Sequence, residues 1–340
     1  MMRYIALALL LALSGLPARA QNTAPSPVFS VNNAFYTLVN GGVVPLDGCA
    51  TPANETIDSS IALSPSGDQL AVITRVDADE AFLTTCDLAG GTQSLARRPN
   101  FLSGMVTAPA YAPDATQIAV SYIDTEGNGT IATVDPTVLG ARVWASDVTL
   151  SEGDIVNPVL WTPDSEIITF TSTFGSTYEE TILGYRQPRT INRQQQLSRS
   201  STDRIIEQFI TRTQIISLYI SGAIYMIDLE SSETEILEEA QLITETAPLQ
   251  LTFTPGTSPD GSIMREWAIV NADGNETPLD FEGTTAQIAL SPDGEQVLYA
   301  GDDALYVWSD GEATILPGTE ITNSDAVASV AWAPVSWTIR

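Results

Sequence analysis

Carboxylates dominate the chemistry that this sequence offers. It holds 42 Asp and Glu residues against 14 basic residues, with a formal net charge of −28 and no His. Every basic residue is Arg, because the sequence contains no Lys. These absences exclude imidazole general bases, Ser-His-Asp triads, His-ligated metals and Schiff-base lysines. Binding or catalysis therefore has to use Asp, Glu, Tyr, Ser or Arg.

The acidic residues occur in short groups between apolar segments. If the fold brings these groups together on one face, their carboxylates can bind calcium, a basic partner or a cationic ligand. The preference of turns for Asp and the exposure of loops explain the same groups without any ligand. Paired carboxylates also hydrolyse glycosides in some enzymes, which keeps a catalytic alternative open. The candidate binding residues are Asp77, Asp79, Asp124, Glu126, Glu179, Asp302 and Asp303.

The net charge also limits the partners and cofactors. An excess of negative charge repels phosphate backbones and anionic lipid surfaces, so nucleic acid is not a predicted partner. The same charge is explained by solubility alone. The sequence predicts no cofactor, with calcium at the acidic groups as the alternative.

Two cysteines, Cys49 and Cys86, are candidates for a disulfide. An oxidising compartment permits the bond. The sequence leaves open whether the two Cα atoms come within the limit of about 7 Å that a disulfide requires. A metal site of two thiols without His is disfavoured.

The first twenty residues predict export. Arg3 precedes an apolar stretch at residues 5–13, and Ala18-Arg19-Ala20 provides small residues around a cleavage site. This order is typical of a secretory signal peptide. The stretch is shorter than the roughly 20 residues that span a bilayer, and no later stretch is long and apolar enough. We therefore expect no membrane span and a periplasmic or secreted protein.

Six segments repeat one pattern of an apolar strand, a tight turn and a second apolar strand. Two of them read SIALSPSGDQLAVI and AQIALSPDGEQVLYA. Pro presets φ at the first turn position, Asp accepts backbone hydrogen bonds, and Gly accepts positive φ. The pattern therefore predicts β-hairpins. The six segments begin at Ser60, Ala108, Asn157, Ile205, Ala286 and Ala328.

Further strands follow each hairpin. A third strand ends at Asp or Gly, as in AFLTTCDLAGG and ALYVWSDGE, and a short fourth strand follows, as in EATIL. Four antiparallel strands at a period of about 40 to 50 residues are typical of propeller blades.

The hairpin and third-strand motifs together resemble the TolB-like, WD-like β-propeller repeat family. The resemblance extends over nearly the whole mature chain. It covers the propeller only, because the first strands follow the signal directly, where TolB-type proteins have an α/β domain. It implies the fold and leaves the function open, since propellers have many unrelated roles.

The two ends of the sequence complement each other. Ala34–Val39 and Gly42–Leu46 look like third and fourth strands without a first hairpin, whereas Ala328–Arg340 looks like a first hairpin without a third strand. Pairing them completes one blade and removes the open edges of the sheet. We predict an all-β propeller of seven four-stranded antiparallel blades, with six and eight as alternative counts. The predicted segments are a signal peptide at 1–20, a short linker at 21–33 and one propeller domain at 34–340.

Two motifs need separate interpretation. Ser258–Gly261 repeats the letters SPDG, but a strand precedes it, so we place it between second and third strands and expect the first turn at Thr244–Pro248. Trp161 and Trp332 precede hairpin turns in innermost strands, which predicts packing between blades. Four other aromatic residues are left open between the core and a ligand site: Trp144, Trp267, Trp308 and Tyr178.

Composition and motifs together favour a binding module over an enzyme. We predict an exported propeller that binds a protein, peptide or glycan, in the cell envelope or outside the cell, on the loops that carry the acidic groups. The alternative is a carboxylate-dependent glycan hydrolase or lyase with its site in the propeller channel. The sequence does not indicate an oligomeric state.

Overall fold

A computed structural model gives the structure of the protein. It describes the ranges 26–78, 80–88, 94–97, 105–123, 129–136, 141–148, 159–161, 165, 167–174, 179–186, 194–196, 205–210, 214–219, 221, 223–228, 231, 233–237, 240–244, 249–257, 263–283, 287–322, 327–332 and 337–338. The predicted signal peptide lies outside the described residues.

The described residues form strands and one short 3-10 helix. The strands are β1 (Val28–Val31), β2 (Ala34–Val39), β3 (Gly42–Pro45), β4 (Thr56–Ile57), β5 (Ala62–Leu63), β6 (Gln69–Asp77), β7 (Glu80–Asp87), β8 (Ser94–Arg97), β9 (Met105–Val106), β10 (Ala110–Tyr111), β11 (Ile118–Ile123), β12 (Gly129–Val134), β13 (Ala141–Val148), β14 (Leu160–Trp161), β15 (Ile167–Phe174), β16 (Glu179–Arg186), β17 (Gln194–Gln196), β18 (Ile205–Ile210), β19 (Gln214–Tyr219), β20 (Ile224–Asp228), β21 (Thr234–Leu237), β22 (Ala240–Thr244), β23 (Gln250–Thr257), β24 (Ile263–Val270), β25 (Glu276–Pro278), β26 (Ile288–Leu290), β27 (Val297–Ala300), β28 (Leu305–Ser309), β29 (Glu312–Ile315), β30 (Ser329–Ala331) and β31 (Trp337–Thr338). The 3-10 helix covers Asp47–Cys49.

These strands group into seven antiparallel sheets, numbered here in chain order. Sheets 2 to 7 begin with β4, β9, β14, β18, β22 and β26, and within each the second, third and fourth strands follow in sequence order. Sheet 1 has the order β3-β2-β1-β30, and sheet 6 has the order β25-β24-β23-β22-β31. Each sheet is thus a local meander, except where β30 and β31 join.

Sheet 1 combines strands from both ends of the described chain. β30 pairs antiparallel with β1, with Phe29 opposite Val330. The prediction that Ala34–Val39 lies in the same sheet as the segment after Ala328 agrees with this pairing. The predicted linker at 21–33 is wrong for Val28–Val31, which is the second strand of the sheet. The strand was missed because its four residues stand alone before an Asn-Asn turn.

The predicted final hairpin is also wrong. β30 and β31 do not pair with each other, since β30 pairs with β1 and β31 pairs with β22 of sheet 6. The place that a second hairpin strand would take is filled by β1. The interpretation of Ser258–Gly261 agrees with the pairing of its flanking strands β23 and β24, although that segment lies outside the described residues.

Apolar side chains between neighbouring sheets form the core. On β1, Val28 belongs to a cluster with Ile57 and Leu70 of sheet 2, while the adjacent Phe29 belongs to a cluster with Leu298 of sheet 7. Successive residues of a strand point to opposite faces, so β1 buries one face against each neighbour. This alternation places sheet 1 between sheets 2 and 7.

Cys49 and Cys86, whose pairing the sequence left open, form a disulfide, and their Cα atoms lie 5.7 Å apart. Both residues are buried. Cys49 ends the 3-10 helix that connects sheet 1 to sheet 2, and Cys86 lies on β7 of sheet 2. The bond therefore ties the first connection to the sheet that it enters.

In the described part of the chain, no helix is long and apolar enough to cross a membrane.

Candidate functional site

Several candidate acidic residues lie at one end of the sheets. We call this end the loop face: there the second strand of each sheet passes to the third, and each sheet connects to the next. Asp77 ends β6 opposite Glu80 on β7, while Asp302 and Asp303 lie between β27 and β28. Asp77, Asp302 and Asp303 are exposed.

The other candidates give less information. Glu179 begins β16, opposite Phe174 in the backbone register, which puts it at the same end of sheet 4. Asp79, Asp124 and Glu126 lie outside the described residues. The described positions therefore agree with a shared loop face, and the convergence of all seven residues stays a prediction.

Carboxylates at the opposite end, here called the turn face, are used by their own turns. Asp68 accepts hydrogen bonds from the hydroxyls of Ser66 and Ser64, which hold its pKa below the usual value. The carboxylate of Asp293 accepts a hydrogen bond from the hydroxyl of Ser291 in the SPDG turn, and the carboxylate of Asp228 accepts one from the hydroxyl of Ser231. Turn formation accounts for these acidic residues.

A different environment surrounds the carboxylates of sheet 7 on the loop face. The hydroxyl of Tyr306 donates to Asp303 at 2.8 Å, which raises the pKa of Tyr306. Tyr306 stacks on Tyr299, with ring centroids 5.2 Å apart and planes at 8°. Asp280, in the connection from sheet 6, is near enough to raise the pKa of both tyrosines. We call Asp280, Asp302, Asp303, Tyr299 and Tyr306 the tyrosine–carboxylate patch.

Burial separates the two tyrosines of this patch. Tyr299 is buried, and that burial, followed by the neighbouring Tyr306 and Asp280, raises its pKa to about 12. Tyr306 is half-buried and keeps part of its ring at the surface. Asp280, Asp302 and Asp303 are exposed, and no described cation lies within salt-bridge distance of them. The patch thus presents uncompensated negative charge beside an aromatic ring.

A row of aromatic rings supports the patch from the core. Phe253 contacts Trp267, Trp267 contacts Phe281, and Phe281 contacts Tyr299, with centroid distances of 5.1, 6.3 and 5.0 Å. The indole nitrogen of Trp267 donates to the carbonyl of Gly283 at 2.8 Å. The row fixes Tyr299, and the stacking fixes Tyr306.

A glycine makes room for the outer ring of this row. A Cβ atom on Gly301 would lie 2.9 Å from Cε2 of Tyr306, closer than real Cβ contacts come. The ring of Tyr306 therefore lies directly against the backbone before Asp302 and Asp303. The position of the ring depends on a residue without a side chain.

The loop face of sheet 2 is electrostatically different. Arg75 forms an ion pair with Asp58 at 2.6 Å and donates to the carbonyls of Asp77 and Ala78 at 3.4 and 3.1 Å. The guanidinium orders this loop and offsets part of its negative charge. The carboxylates of sheet 7 are the more available ones for a ligand.

Metal binding has no candidate within the described ranges. No three His, Cys, Asp or Glu residues converge there as ligands. Asp124 and Glu126 lie outside the described residues, so calcium binding there stays a prediction.

Solved structures with a similar fold include proteins from three organisms. TolB from Acinetobacter baumannii matches with a TM-score of 0.50 and 19% identity, over 86% of this chain and 68% of that chain. The Pseudomonas aeruginosa periplasmic gluconolactonase matches with a TM-score of 0.58 and 15% identity, over 91% and 99%. The β-propeller domain of the trilobed protease from Pyrococcus furiosus, which has an open velcro topology, matches with a TM-score of 0.50 and 13% identity, over 78% and 84%.

The fold is a β-propeller. At these identities the similarity concerns the fold alone. No family model matches the sequence, and no curated protein matches it.

The four tryptophans whose side chains the structure describes pack in the core or between sheets. Trp161 is buried, and its indole nitrogen donates to the carbonyl of Ala110 in the neighbouring blade at 3.0 Å. Trp332 is half-buried against the cluster of Phe29 and Leu298. Trp267 and Trp308 are buried, which removes them as exposed ligand contacts.

Three residues of the site were not predicted from the sequence. Asp280 was not recognised because it lies in a connection between blades rather than in a repeated loop. Tyr299 and Tyr306 were counted as strand residues of the propeller. Their register on adjacent strands, with Tyr299 opposite Tyr306, is the signal that predicts their contact.

Proposed function

We propose that this chain is an exported, closed seven-bladed propeller that binds a basic segment of a partner protein or peptide at the tyrosine–carboxylate patch. The observation that carries the proposal is the hydrogen bond from Tyr306 to Asp303, beside the uncompensated carboxylates of Asp280 and Asp302.

The chemistry of the patch suits Lys or Arg side chains. Exposed carboxylates attract a cation over the range of a Debye length and pair with it on contact. The face of an aromatic ring attracts the same cation and packs against its aliphatic part. Tyr306 and Asp303 are already held together, so a ligand does not have to order them.

The closed, seven-bladed form rests on two supports. Seven sheets occur in the described residues, and β30 joins β1 from the other end of the chain. Val28 packs in a cluster with residues of sheet 2 and Phe29 in a cluster with residues of sheet 7, which supports a ring in which sheet 1 joins these two sheets. Closure of this kind protects the strand edges and holds the blades in one ring.

Export rests on the signal-like first twenty residues and the disulfide, which persists in oxidising compartments. Two structural neighbours, TolB and a gluconolactonase named as periplasmic, are consistent with this location. We expect the binding partner in the periplasm, in the cell envelope or outside the cell.

Matched charge variants test the binding site. The double variant Asp280→Asn/Asp303→Asn removes two charges from the patch, while Asp273→Asn/Asp310→Asn removes two exposed charges from the turn face. Both are titrated with a fluorescein-labelled tetra-arginine peptide at low and physiological salt. The patch variant is expected to lose about tenfold in affinity and the control less than about twofold, because local pairing adds to the general field.

Equal losses in the two variants would show that only net charge matters and would contradict the patch. Affinity capture from an envelope extract, with the same two variants as baits, then identifies the natural partner. Turnover in a glycan-hydrolysis screen that one carboxylate variant abolishes without unfolding would replace binding by the catalytic alternative.

A further inference from the structure

The first strand of sheet 6 changes partner along its length. Ala240, Gln241 and Leu242 of β22 pair with β23, but the two following residues pair with β31. Ile243 lies opposite Thr338, and Thr244 lies opposite Trp337. The end of β22 is thus an open strand edge that another extended segment completes.

The segment that completes it comes from a different sheet. β30 is the first strand of sheet 1, and the chain then continues to β31 at sheet 6. Sheet 7 lies between these two in chain order, and β30 packs beside its strands β26 and β27. In the other six described sheets, the strand order ends at the first strand. β31 is therefore an added strand rather than part of the repeat.

Pairing at such an edge depends mainly on the backbone. Extended peptides bind exposed sheet edges through main-chain hydrogen bonds, with alternate side chains adding specificity. A ladder of two residue pairs is short, and segments held this way open without unfolding of the whole domain. The edge can therefore exchange one extended segment for another.

We infer that the Ile243–Thr244 edge of β22 is a strand-addition site for an extended peptide, and that β31 occupies it as an intramolecular ligand. The peptide chemistry is that of the occupant, with neighbouring aromatic and β-branched residues such as Trp337 and Thr338. This site lies outside the tyrosine–carboxylate patch and does not depend on the proposed function.

Tethering determines how strongly β31 competes. A short linker gives a tethered segment an effective concentration of about millimolar, so a free peptide binds weakly while the segment is present. Release of the segment raises the fraction of binding-competent molecules, and the apparent affinity rises in proportion. The segment is thus autoinhibitory toward peptides of its own type.

The test uses a fluorescein-labelled peptide of residues 333–340, APVSWTIR, and the full chain. In Trp337→Pro/Thr338→Pro the two N–H donors of β31 are lost and φ is fixed, which prevents pairing. The matched control Trp337→Ala/Thr338→Ala loses the same side chains but keeps the backbone donors. Fluorescence anisotropy is expected to give about tenfold tighter binding to the proline variant than to the alanine variant.

A second peptide, APVSPPIR, checks that binding is by strand pairing, and it is expected not to bind. Equal affinity of the two protein variants, binding of APVSPPIR as tightly as APVSWTIR, or no binding to any variant would overturn the inference.

Hydrogen exchange on the unaltered chain gives a measurement that needs no variant. The amide of β22 that faces β31 is expected to be protected and to exchange by local opening, at a rate insensitive to low denaturant. The buried Leu251 on β23 provides the reference for global unfolding. An unprotected edge amide, or one that exchanges with the denaturant dependence of Leu251, would contradict a releasable segment.

Discussion

The side chain of Asn33 makes two hydrogen bonds across the boundary between sheets 1 and 2. Its amide donates to the carbonyl of Glu55 at 2.6 Å, and its oxygen accepts from the backbone N–H of Ile57 at 2.6 Å. The preceding Asn32 bonds to the connection between sheets 7 and 1. Its amide donates to the carbonyl of Glu320, and its oxygen accepts from the backbone N–H of Thr322. The turn between β1 and β2 thus connects both neighbouring sheets to the sheet that contains β30.

Asn33→Ala is expected to destabilise the protein through this contact. Two hydrogen bonds are lost, at about 1 kcal/mol each. Asn40→Ala is the matched control, because Asn40 has the same left-handed backbone, with φ of 51° against 66°, and no side-chain hydrogen bond to a described residue. In chemical denaturation, Asn33→Ala should lower the free energy of unfolding by about 2 kcal/mol more than Asn40→Ala does. A difference near zero would show that the contact contributes nothing to stability.

Removal of the disulfide is expected to lower the stability of the fold by more than Asn33→Ala does. Cys49 and Cys86 are 37 residues apart, and closing a loop of that length restricts the unfolded chain by about 4 kcal/mol in the chain-entropy model. The double variant Cys49→Ala/Cys86→Ala should unfold at a correspondingly lower denaturant concentration. Reductant should lower the midpoint of the wild type and leave that of the double variant unchanged. A wild-type midpoint that does not respond would contradict the bond.

Ionisation of Tyr299 is expected to destabilise the fold at high pH. Its pKa is raised from 10.0 to about 12 in the folded state, chiefly by burial. The neutral form is therefore favoured by folding, so this contribution is fully present below pH 10 and is lost as the pH rises towards 12. Tyr299→Phe should remove a tyrosinate absorbance step near pH 12 and flatten the loss of stability in that range. Removal of a step near pH 10 instead would contradict the burial of this hydroxyl.

Gly301→Ala is expected to disturb the patch without changing its charge. The new Cβ would meet the ring of Tyr306 at 2.9 Å, so the ring has to shift from its stacked position. We expect a changed near-ultraviolet circular dichroism spectrum and weaker binding of the tetra-arginine peptide. Gly42→Ala is the control, because its Cβ would meet the carbonyl oxygen of Val39 at 3.5 Å, an ordinary contact. Equal spectra for both variants would show that the ring position does not depend on Gly301.

The repeat was predictable because its signals are local. In the SPDG turn, the hydroxyl of Ser291 bonds to Asp293 and accepts the N–H groups of Glu295 and Gln296, so a few adjacent letters specify the turn. Strands next to such turns alternate or run apolar over short distances. The second-to-third strand position of Asp302 and Asp303 followed from the same pattern.

The closing strands were less predictable. β1 has four residues and no hairpin before it, so no local motif distinguishes it from linker. Its partner β30 is some three hundred residues later, and the contact between Ser30 and Ser329 joins positions 299 apart. The segment after β30 resembled a hairpin because Pro334 has the local chemistry of a turn.

The sequence by itself determined the repeated hairpins, the general blade pattern, the excess of carboxylates and the absence of His and Lys chemistry. These properties depend on residue types and on spacings of a few positions, where turn geometry and strand alternation act directly. Only the tertiary structure decided that Asp280 lies near Tyr299 and Tyr306, that Cys49 meets Cys86 and that β31 joins β22. Each of these depends on which sheets become neighbours, and burial of apolar faces between sheets sets that arrangement without a local signature in the chain.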